Sequence, residues 1–187
     1  MNEWDHKWGE SKSILFNQFG IKEPINALSA LFMAIFVYTK INKNLSVPNI
    51  LKFFVLINLI SSSLAHSTYN KNYITMDGIT MLLPLLYISL YYKQYIISII
   101  LIYCIINDNI TIGFILGILY VLLISQNKIR NKNSLKINVI LLLLAVILWI
   151  IDQKINITER YWFINLHALW HVFATISFIN IIDIIQW

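Results

Sequence analysis

Residues 139–151 read V-I-L-L-L-L-A-V-I-L-W-I-I, and apolar runs of this kind recur along the chain. A soluble core has no need of such runs. A helix facing lipid has, because every backbone polar group must be satisfied inside the helix and every outward side chain must tolerate hydrocarbon. The composition agrees: 58% of the 187 residues are hydrophobic and 12% charged, against about 45–50% and ~25% in an ordinary soluble domain. Five glycines and three prolines are too few for a loop-rich chain or a β-barrel. The expected fold is all-α, a polytopic membrane protein built as a single membrane domain over residues 1–187.

Seven spans are expected, at 24–41, 48–66, 74–92, 95–106, 110–125, 135–151 and 163–184, after a polar N-terminal segment 1–23. Pro24 suits the opening turn of the first. The fourth and fifth are shorter than the ~20 residues of a usual crossing. They are separated by Asn107, Asp108 and Asn109, which fit a tight turn between two crossings. The first twenty residues lack the apolar stretch of a signal peptide, so the chain is expected to insert through its own helices. One cysteine, Cys104, excludes a disulfide framework.

The net charge of +5 lies mostly in short loops, where it speaks of orientation and not of nucleic-acid binding. Calling the N-terminal side A, basic residues number six on A and eight on B, with the densest cluster, Lys128 to Lys136, on B. Side B is therefore expected to be cytoplasmic, with the N-terminus outside and the C-terminus inside.

Ionisable groups within spans are costly, and those that persist usually act. His167 and His171, in H-A-L-W-H, are four apart and share one helix face, a spacing at which two imidazoles converge on one ion. His66 ends the second span, with Ser62 a turn earlier, and Asp77 opens the third. With seven crossings, His66, Asp77, His167 and His171 all emerge on side A; six or eight would put His167 opposite His66. Each also has a plainer role open to it. A single histidine can bridge helices, Ser61, Ser62 and Ser63 can serve packing, Asp152 can cap a helix, and Trp149, Trp162 and Trp170 can be interfacial aromatics.

This set resembles the alkaline ceramidase family, within the seven-span membrane hydrolase superfamily that includes the adiponectin and progestin receptors. E-P-I-N-A-L-S (Glu23 to Ser29) is similar to the family's opening block. S-S-L-A-H (Ser62 to His66) is similar to its Ser-x-x-x-His, and H-A-L-W-H to its closing His-x-x-x-His. Asp77 stands eleven residues after His66, where the family has an aspartate. Order and spacing carry the likeness, and the short chain looks more like the compact bacterial members. The resemblance implies a zinc ion held by His66, His167 and His171, with a water in the fourth position and Ser62 and Asp77 completing a catalytic site. It also implies calcium bound by Glu23 with the N-terminal segment; that segment departs from the family's pattern, and Asp5 and Glu10 enter by composition only.

The expected activity is zinc-dependent hydrolysis of a ceramide-like lipid amide, giving a fatty acid and a long-chain base. Asp77 would serve as proton acceptor and donor, and Ser62 as an oxyanion partner. The alternatives are a receptor-type member of the same superfamily, a haem carrier with His66 and a seventh-span histidine as axial ligands, and a proton or metal transporter.

Overall fold

The computed structural model describes residues 23–41, 43–44, 46–68, 70–128, 132–155, 165–185 and 187. Among them the chain forms seven α-helices: α1 Pro24–Ile41, α2 Asn49–Thr68, α3 Lys71–Tyr91, α4 Tyr95–Ile106, α5 Ile110–Lys128, α6 Lys132–Ile155 and α7 Leu166–Ile184. Five helical segments are long and apolar enough to cross a bilayer: Pro24–Ile41, Asn49–Thr68, Lys71–Tyr91, Asn133–Asp152 and Leu166–Asp183. They mark the chain as an integral membrane protein. Its surface agrees, since Phe32, Ile35, Ile96, Ile99, Ile106 and Ile140 all stand more than half exposed, which only an apolar solvent accommodates at this density. The α4 helix, with 12 residues, is about 18 Å long, short of the ~30 Å hydrocarbon core.

The helices α1 and α4 have the bounds expected from the sequence. Others differ at their ends, for local reasons. Asn70 caps α3 by accepting from the Asn72 amide, so the helix starts at Lys71 and Asp77 falls at the end of its second turn instead of opening it. Asn165 caps α7 in the same way, accepting from the Ala168 amide at 2.7 Å, so the helix begins at Leu166 and not at 163. The α6 helix continues past the apolar run through Asp152 to Ile155, because polar residues end a membrane stretch without ending a helix. Trp162, Arg160, Asp5 and Glu10 lie outside the described residues.

The helix α1 packs against α2 and α7, α2 against α3, α3 against α4 and α5, and α6 against α7, while α5 and α6 touch only lightly. Close approach of α5 depends on two glycines four apart. A Cβ at Gly113 would come within 2.8 Å of Cys104 Cβ and 2.9 Å of Leu82 Cδ1, and one at Gly117 within 2.7 Å of Leu85 Cδ1. This is the small-residue device that lets membrane helices meet where hydrophobicity alone gives no drive. Gly117→Leu is expected to destabilise the fold by about 1–3 kcal/mol through overpacking. Thermal denaturation in detergent checks this; an unchanged midpoint would mean that α3 and α5 are not held this close.

Candidate metal centre

The i, i+4 spacing in the first two turns of α7 stacks His167 over His171, with ring centroids 4.8 Å apart. From α2, His66 completes a triangle, 4.9 Å from His167 and 5.2 Å from His171. All three are buried. One ligand nitrogen from each lies within 4.8 Å of the others. Tetrahedral zinc, with Zn–N near 2.0–2.1 Å, needs nitrogens about 3.4 Å apart. Three imidazoles are also a donor set that catalytic zinc uses, leaving one position open. The residues fit the ion.

The outward nitrogens strengthen that fit. His66 Nδ1 hydrogen-bonds to the Glu23 carboxylate, itself fully buried and receiving a second bond from the Asn26 amide at 3.1 Å. The Glu23 backbone N–H donates to the His66 carbonyl at 3.0 Å, so the start of α1 and the end of α2 are joined through both main chain and side chain. His171 Nδ1 lies 2.9 Å from Ser29 Oγ, and His167 Nδ1 lies 3.7 Å from Asp152 Oδ2. Glu23 and Ser29 thus hydrogen-bond Nδ1 of His66 and His171, which leaves Nε2 of those two rings for a ligand, while Asp152 approaches His167 Nδ1 at ion-pair distance, longer than a hydrogen bond. Outer partners of this kind fix ring orientation and tautomer at metal sites. Glu23, expected from the resemblance to serve calcium, is therefore placed against His66.

The serine run is sorted by its partners. Ser61 bonds to the Ile57 and Asn58 carbonyls and to Thr80 Oγ1. Ser63 bonds to the Ala27 carbonyl at 3.0 Å. Ser62 alone of the three faces the triad, its Oγ 3.5 Å from His171 Nε2. Asp77, half-buried on α3, has Asn58 Nδ2 at 3.5 Å from its Oδ1 and lines the same cavity as Ser62. Thr80 Oγ1 donates to its carbonyl at 3.1 Å.

Ser62, Asp77 and the three histidines line one cavity of about 480 Å³. Much of its wall is apolar, formed by residues such as Leu59, Met81, Leu85, Ile118, Leu142 and Phe178, with Lys71, Asp108, Thr111 and Thr175 also on the lining. Trp170, stacked on Trp149 at 5.7 Å and met edge-on by Phe114 at 5.6 Å, forms an aromatic side. The size and the few convergent polar groups suit a small-molecule site.

The sequence does not single out Ser29 and Asn58 as individual site residues, nor Glu23 as a neighbour of His66, and it leaves Asp152 open to a capping or a functional part. Their common signal is a polar side chain inside or beside an apolar span. No protein-family model matches the chain, and no curated protein or solved structure matches it either.

Proposed function

We propose that this protein is an intramembrane zinc hydrolase of the alkaline ceramidase type, cleaving the amide of a ceramide-like lipid. One observation carries the reading: three histidines from α2 and α7 converge beside Ser62 and Asp77 on the wall of a largely apolar cavity. In this reading all seven helices cross the membrane, with α4 and α5 as a short pair turning at Asn107–Asn109. The N-terminus and the site lie toward the non-cytoplasmic face, beside the side carrying fewer basic residues.

Zinc bound by His66, His167 and His171 would act as a Lewis acid, polarising the amide carbonyl and bringing a water's pKa toward ~7. The remaining work falls to the chain. The Asp77 carboxylate takes a proton from the attacking water as the water oxygen bonds to the carbonyl carbon. The Ser62 hydroxyl donates to the oxygen on which negative charge grows. Asp77 then delivers the proton to the nitrogen as the C–N bond breaks, releasing fatty acid and long-chain base. Asn58 steadies Asp77 from behind. The apolar part of the cavity takes hydrocarbon, and its polar end receives the amide, which suits a substrate that never leaves the bilayer. An ester lipid would obey the same chemistry.

A haem role fits poorly, because His66 and His171 meet edge to face at 5.2 Å with no room for a porphyrin plane between them. The test is to incubate the detergent-purified protein with ceramides, other lipid amides and ester analogues, following fatty acid by mass spectrometry. The expected result is release from a lipid amide, stopped by a zinc chelator and restored by added zinc. Zinc-loaded protein that cleaves none of these lipids would contradict the hydrolase reading and favour a receptor-type member of the superfamily.

A further inference from the structure

The Asp152 side chain sits where helix electrostatics disfavour it. It lies in the last turn of α6, which ends at Ile155, and the C-terminal end of a helix carries partial negative charge, so an acidic residue there is repelled. It also ends the apolar stretch and is only 3% exposed. A buried carboxylate at such a depth is expensive unless it is partnered. A capping role gives no reason for this placement, since C-terminal turns favour basic residues and glycine.

Among the described residues, its neighbour is His167. Asp152 Oδ2 lies 3.7 Å from Nδ1 of His167, with both side chains buried. The other two histidines have their Nδ1 atoms engaged from α1, by Glu23 and Ser29. Asp152 reaches the third from α6, on another side of α7. Among the described residues each imidazole of the triad thus has a polar side chain beside its Nδ1, hydrogen-bonded at His66 and His171 and at ion-pair distance at His167, and two of these three neighbours are carboxylates, whose charge a divalent cation would offset.

We propose that Asp152 is a positioning residue for the metal: it holds the His167 ring through Nδ1 so that Nε2 faces the ion. This rests on the metal reading above. The role is separable from the packing of α6 on α7, which is fixed elsewhere. Near the site, Trp149 stacks on Trp170. Toward the other end, Ser177 Oγ bonds to the Asn138 carbonyl, and Asn180 Nδ2 bonds to Asn138 Oδ1 at 3.1 Å. These contacts set the register of the two helices without Asp152.

The experiment measures zinc affinity of the full chain in detergent by competition with a chelator of known affinity, for the unaltered protein, His167→Ala, Asp152→Asn and Asp152→Glu. Thermal midpoints of the metal-free forms are measured alongside. Expected is a loss of affinity of about 10–100-fold in Asp152→Asn, the range for removal of an outer partner. Asp152→Glu should recover part of it, and the metal-free midpoints should stay near that of the unaltered protein. Unchanged affinity in Asp152→Asn, with zinc bound by the unaltered protein and lost in His167→Ala, would overturn the role of Asp152 while leaving the metal site standing. Loss of affinity only in step with a collapse of the metal-free midpoint in both Asp152 variants would also overturn it, in favour of a structural part. No zinc on the unaltered protein would overturn both the metal reading and this one.

Discussion

Asp77→Asn is expected to bind zinc like the unaltered protein and to hydrolyse lipid amide about 10²–10⁴-fold more slowly, the usual contribution of a positioned general base. The substitution keeps the size and the hydrogen-bonding outline of the side chain, so the contact to Asn58 has a replacement. What it removes is the capacity to take a proton from water and to return one to the leaving amine. Asp77 belongs to α3, while the three histidines come from α2 and α7, so the ligand set is left intact. Turnover and zinc content measured on the same preparation check the prediction. Hydrolysis within a few-fold of the unaltered rate would remove Asp77 from the reaction; loss of zinc would make it part of the metal's own support.

His171→Ala has the opposite signature, losing zinc and hydrolysis together. The imidazole sits between Ser29 Oγ at 2.9 Å on its Nδ1 and Ser62 Oγ at 3.5 Å from its Nε2. It is thus held from α1 and faces the group proposed to steady the oxyanion. Its removal leaves two nitrogens for the ion and opens a gap beside Ser62. The affinity loss should exceed the about 10–100-fold that follows from removing an outer partner. Thermal denaturation of the metal-free variant separates this from unfolding. A His171→Ala protein that turns over at the full rate would contradict the mechanism outright.

Much of this was legible from the residues, and the reasons differ from place to place. The start of α1 follows from Pro24, which opens an apolar run after the polar Lys22–Glu23, and the end of α4 from the polar Asn107–Asp108–Asn109 turn, which stops one. The starts of α3 and α7 were displaced by about three residues because Asn70 and Asn165 are caps, and a capping asparagine looks like any other loop polar residue until its side chain meets the amide ahead of it. His66, Asp77, His167 and His171 stood out because helical period and, for seven crossings, parity bring them to one end of the bundle, and Ser62 because it lies a turn before His66 in a block resembling the family's. The outer partners did not. Whether Ser29 touches His171, or Asp152 touches His167, depends on the rotation of α1 and α6 about their own axes. The nearly uniform apolarity of these membrane helices gives that rotation little signature in the sequence. The contact of Glu23 with His66 has no such signature either, because the two residues are 43 apart in the chain and meet only once it is folded.

The most direct test of the central claim is elemental analysis of metal in the detergent-purified protein beside its His167→Ala/His171→Ala variant. About one zinc per chain is expected in the first and none in the second, as for a single site built from three histidines. A protein that carries no zinc after purification without chelators, and takes up none when zinc is supplied, would contradict it.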